Sequence, residues 1–179
     1  RDRLNSYKSW QHVEMFDIGK AEEIYYKSKM NIYPVDKAWL ENSVSTGTYD
    51  LDNANSYSSQ GMPALDYLLN GVAATDNDII TKYTANNKYK DYLTAVVAKM
   101  LSNTKTVVDD WLTYKASFVS STANTSTSSA NKLINDFIYY YEKGFRANKV
   151  GIPAGIFSGS PLPGNVEAFL LYTSDAADD

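Results

Sequence analysis

Gly61, Pro63 and Asp66 stand in a mostly apolar stretch, residues 60–71, at a spacing that chemistry can use. Positions three apart share a helix face, so donors at 63 and 66 would aim at one ion or one water. A histidine and a glutamate there would form a metal-holding pair. Pro63 has no donor atom, which leaves Asp66. Its carboxylate lies near an expected helix start, open to a capping or core hydrogen-bond role or to a substrate or metal role.

Other candidates are sparse. His12, the single histidine, lies on the expected first helix beside Glu14, and its open readings are a structural side chain or a ligand and proton-transfer group. Zinc hydrolysis normally needs three protein ligands and an open position for water, so no catalytic set is assigned, and Asp66 and His12 are the only metal candidates. Arg146 and Lys149 precede a Gly/Pro-rich segment, placed to cap a helix C-terminus or to reach an anionic group. Asp50 and Asp52 lack the glycine and distal glutamate of a calcium loop. Ser158 has no Gly-x-Ser-x-Gly elbow around it. The 15 tyrosines suit helix packing as well as a groove, and a tyrosine-lined pocket near Asp66 is one expectation.

The elements that must position these residues read as helices. Leu4, Tyr7, Trp10, Val13 and Phe16 recur at helical spacing and predict a helix over residues 4–18. Further helices are expected over 22–30 and 35–44, then a polar loop over 47–59 leading to the motif helix. In that helix Pro63 suits the first turn and Gly71 the stop, with Leu65, Leu68 and Leu69 as the apolar face. A long amphipathic helix follows over 88–118, then a Ser/Thr/Asn linker over 120–129 and a second amphipathic helix over 133–145. Strand patterns are almost absent, so the expected fold is all-α, an antiparallel helical bundle.

Several segments together resemble the imelysin-like family, also called the M75 peptidase family. Its signature is Gly-x-His-x-x-Glu on a helix running into a Leu-Leu pair. Gly61 matches, Pro63 and Asp66 take the histidine and glutamate places, and Leu68 and Leu69 follow. Ser9-Trp10-Gln11, Phe16-Asp17-Ile18-Gly19, Ala21-Glu22, Tyr33-Pro34 and the run from Lys149 to Gly155 agree in order, so the resemblance covers most of residues 1–169. It implies the first half of a two-bundle domain over 1–169, without the second bundle. It also implies an exported bacterial envelope protein, periplasmic or an outer-membrane lipoprotein, iron-regulated and linked to iron acquisition. A divalent metal or iron is the implied cofactor, and iron-uptake or envelope components are the implied partners. The function expected is noncatalytic metal or ligand binding; the alternatives are an imelysin-type metallopeptidase and a surface scaffold or interaction module.

Bulk properties narrow the field. The chain has 179 residues, 44% of them hydrophobic, enough to bury a core. Net charge is −4 with no basic run, so a phosphate-backbone partner is not indicated. Cysteine is absent, which removes disulfides and thiolate sites together. No apolar run approaches the roughly 18 residues that span a bilayer. The start at Arg1 leads us to expect a cut N-terminus. Residues 170–179 resemble a translated sequencing adapter, and a non-native tail is expected there; its three aspartates account for most of the net charge.

Overall fold

The structure is a computed structural model that describes residues 2–165. The expected tail at 170–179 lies outside the described residues. Their regular elements are helices, with no strand among the described residues: α1 Asp2–Gln11, α2 Lys20–Glu23, α3 Tyr26–Met30, α4 Lys37–Thr46, α5 Gly61–Asp66, α6 Asp76–Ala85, α7 Asn87–Ser120, α8 Ser129–Tyr139 and α9 Ile152–Ala154. Two helices change pitch without a break. α5 runs on as a π turn over Tyr67–Gly71, and α8 as a π-helix over Tyr140–Gly151.

The chain divides into two compact units, Lys20–Asp110 and the pair Arg1–Gly19 with Trp111–Asp179, so α7 contributes residues to both. In the central unit, Leu40 and Val44 of α4, Met62 and Ala64 of α5, Leu68, and Tyr92 and Val96 of α7 form the buried core. In the terminal unit, Tyr7, Trp10 and Ile18 are buried together with the carboxylate residue Glu14.

Helix ends follow the local residues. Asp36 caps α4 by accepting the Trp39 N–H at 2.9 Å, and Gly47 ends it in the left-handed conformation at φ 72°. Within the expected loop, a 3₁₀ turn over Ala54–Ser59 is held by Ser56, whose hydroxyl donates to the Asp50 and Asn53 carbonyls. Thr75 starts α6, a helix not anticipated above, by accepting the Asp78 N–H at 3.2 Å, with Asp76 and Asp78 at the positive end of its dipole.

Two expected helices are shorter or broken. α1 stops at Gln11 instead of reaching 18, because the chain turns at residues 12–15 and carries Glu14 inward; Val13 and Phe16, which the apolar stripe would bury, are exposed. The Asp17 N–H then donates to Asp136 at 2.9 Å, and Gly19 (φ 65°) lies so close to the Tyr114 ring that a Cβ would stand 2.9 Å from it. The expected helix over 22–30 is split at Tyr25, the one non-glycine residue with positive φ among those described, at 56°. On α7 the buried row is Tyr89, Tyr92, Val96, Met100, Asn103 and Val107, spaced three and four apart, while the equally apolar Val97, Leu101, Val108 and Leu112 are exposed.

Candidate functional site

The motif helix begins with a requirement for glycine. Gly61 has φ 78°, and a Cβ there would lie 2.3 Å from the Met30 carbonyl oxygen and 2.8 Å from that of Lys29. Only a residue without a side chain lets α5 start this close to the end of α3. Gln60, buried just before it, donates from Nε2 to the Leu51 carbonyl at 2.7 Å, and the Tyr92 hydroxyl donates to the Ser59 carbonyl at 2.9 Å.

Pro63 is fully buried in the first turn of α5, where its missing N–H leaves no intrahelical bond unmade. Asp66, half-buried, is the last residue of α5 and lies beyond the first turn, so the dipole argument for its charge does not apply. Its Oδ1 accepts Asn70 Nδ2 at 2.8 Å. Gly71 closes the π turn with an ordinary negative φ; what it supplies is room, since a Cβ there would stand 2.7 Å from the Tyr67 ring.

The Tyr67 ring leads to a group of polar side chains that sequence reasoning missed. Tyr67 donates its phenolic proton to Glu41 Oε1 at 2.7 Å, and Tyr89 donates to Oε2 of the same carboxylate at 2.5 Å. Burial first, and then the neighbouring Glu41, holds both phenols well above the ordinary tyrosine range. Tyr83 stands beside Tyr89, ring centroids 5.7 Å apart, and spends its hydroxyl on the Leu68 carbonyl at 2.9 Å. The Lys37 ammonium lies 5.4 Å from the Tyr67 ring centroid and that of Lys82 4.9 Å from the Tyr89 ring. The available signals were the position of Tyr67 directly after Asp66 and the density of tyrosines; nothing local tied either to Glu41.

The remaining candidates belong to the terminal unit. His12 is exposed in the turn after α1. Arg146 is exposed and ion-paired with Glu142, one turn back on its own helix. Lys149 is half-buried: burial pulls its ammonium below the ordinary lysine value, and the Glu14 charge pulls it back up. Glu14 accepts the Tyr140 hydroxyl at 3.0 Å, and the phenol is pushed up by burial and by Glu14.

A metal at the motif does not fit these residues. Pro63 has no donor, Asp66 is engaged by Asn70, and among the described residues no three of His, Cys, Asp or Glu are grouped to hold an ion. No helix among the described residues is long and apolar enough to cross a membrane.

The profile of one known family, described as Imelysin (peptidase M75), matches residues 4–174. The chain belongs to the imelysin family. The match includes the Gly61 to Asp66 segment. Comparison with curated proteins and with solved structures gives no match.

Proposed function

We propose that this imelysin is a noncatalytic bacterial envelope protein that binds a metal or another small ligand in iron or metal acquisition. Family membership supports the envelope and metal-handling setting. The observation that carries the noncatalytic half is the fully buried Pro63, which fills a ligand position with a ring that has no donor atom. The metallopeptidase reading, favoured by the family's own description, needs an ion and an activated water at that place.

The test uses the purified full chain. Bound zinc and iron are measured by elemental analysis, and cleavage of a mixed peptide pool is followed with and without chelator. The expected result is reversible metal or ligand binding without chelator-sensitive cleavage, in wild type and in Asp66→Ala alike. Stoichiometric zinc together with cleavage that disappears in Asp66→Ala overturns the proposal. Binding of a protein partner that ignores both metal and Asp66 would replace it with an interaction module.

A further inference from the structure

Asn70 and Gly71, the one Asn-Gly pair in the sequence, stand at the end of the π turn that continues the motif helix. Such a pair is the peptide unit most open to attack on its own side chain, because glycine puts no Cβ between its nitrogen and the asparagine amide. The fold admits no slower pair here, since a Cβ at position 71 would stand 2.7 Å from the Tyr67 ring. Asn70 is exposed, so water and hydroxide reach its amide.

Two sets of contacts hold the pair in its helical form. The Asn70 amide donates to Asp66 Oδ1 at 2.8 Å, which pins the side chain one turn back along the helix. From α6, the Tyr83 hydroxyl donates to the Leu68 carbonyl at 2.9 Å and the Lys82 ammonium to the Val72 carbonyl at 2.9 Å. The backbone is therefore fastened on both sides of the pair. Helical backbone commits its nitrogens to the carbonyls behind them, so the Gly71 nitrogen turns onto the Asn70 side chain only when the π turn opens.

We propose that Asn70 is a deamidation site gated by opening of the π turn. In the open turn the Gly71 nitrogen gives its proton to hydroxide and attacks Asn70 Cγ; the new N–C bond closes a succinimide ring, the bond from Cγ to the side-chain nitrogen breaks, and ammonia leaves. Water then opens the ring at either carbonyl and leaves aspartate or isoaspartate. Only water is consumed, and nothing is oxidised or reduced. An aspartate formed at position 70 lies four residues from Asp66, which puts a like-charge pair where a hydrogen bond stood. Isoaspartate instead adds a carbon to the backbone beside the Tyr67 ring. Neither product restores the original turn, so the modification is an irreversible record of how often the motif helix opens at its C-terminal end.

The experiment holds the full chain at physiological temperature in mildly alkaline buffer and follows each asparagine by peptide mass spectrometry, with enzymatic methylation to detect isoaspartate. Asn42 and Asn55, both exposed and both followed by serine, are the internal references. Asn70 is expected to convert first, faster at higher pH. Asp66→Ala frees the side chain and Tyr83→Phe frees the backbone; each speeds conversion of Asn70 about two- to tenfold, the worth of one hydrogen bond, and leaves the references unchanged. In concentrated urea the difference between wild type and variants disappears. Circular dichroism checks the fold of each variant, and if Asp66→Ala loses it, Tyr83→Phe decides alone. Conversion of Asn42 or Asn55 ahead of Asn70 overturns the site. An unchanged Asn70 rate in the folded variants overturns the gate, and so does a rise at all three asparagines together in Tyr83→Phe, which marks global unfolding.

Discussion

Gly61→Ala tests whether the motif's surviving glycine serves the backbone rather than a reaction. At φ 78° a residue with a Cβ pays the left-handed penalty, about 1–2 kcal/mol. The new Cβ would also lie 2.3 Å from the Met30 carbonyl oxygen and 2.6 Å from its carbon, atoms that cannot rotate away. Forcing α3 and α5 apart adds about 1–3 kcal/mol, the usual range for overpacking. The sum, about 2–5 kcal/mol, is a large share of a stability of about 5–15 kcal/mol and lowers Tm by roughly 4–20 °C at this chain length. Gly47→Ala is the control. Gly47 also has positive φ, 72°, but its Cβ would meet nothing nearer than the flexible Lys88 side chain at 3.7 Å, so only the conformational part, about 1–2 kcal/mol, is lost. Thermal and urea unfolding followed by circular dichroism compare the two variants. Equal losses at positions 47 and 61 would refute the close-approach argument.

Two further predictions concern titration. Tyr67 and Tyr89 have folded values raised above the ordinary 10.0, first by burial and then by Glu41, so their contribution to stability is complete below about pH 10 and is lost as pH rises through the raised values. Urea midpoints should stay flat to about pH 10 and then fall, and Glu41→Gln should soften that fall; an unchanged alkaline limb in the variant speaks against the coupling. Asp52 is held below its ordinary 3.8 by its hydrogen bonds to Lys99 and then Lys29, so its contribution is present above that value and is lost as pH falls through the lowered one. Asp52 is exposed and its pair with Lys99 is screened, but Lys29 is buried, so Asp52→Asn should cost about 1 kcal/mol or more near neutral pH, only partly relieved by high salt, with the difference vanishing in acid; a loss that high salt abolishes counts against the buried Lys29 pair.

Several features that depend on residues close in sequence were legible before the structure. The all-α class, the long helix now seen as Asn87–Ser120, the short helix expected over 35–44 and the start of the motif helix at Gly61 and Pro63 all follow from apolar period and glycine or proline placement. The family resemblance rested on the same local signals, and membership is now established over residues 4–174.

Tertiary contacts decided the rest. Helical period let α1 run to 18, but the turn that buries Glu14 against Tyr140 and ties Asp17 to Asp136 ends it at Gln11. On α7, Val96 and Val97 read as equivalent until neighbouring helices selected Val96 for the core. Gly71 read as a helix stop, and the Tyr67 ring made it a space requirement. Asp66 carried the chemical expectation, whereas the convergent oxygens belong to Glu41, Tyr67 and Tyr89, separated by up to 48 positions. Local backbone preference acts within a few residues, so the sequence by itself determined the all-α class, the long helix and the family they compose. Convergence of distant side chains depends on how those helices pack, and only the tertiary structure decided that Glu41 would receive two phenols beside the motif.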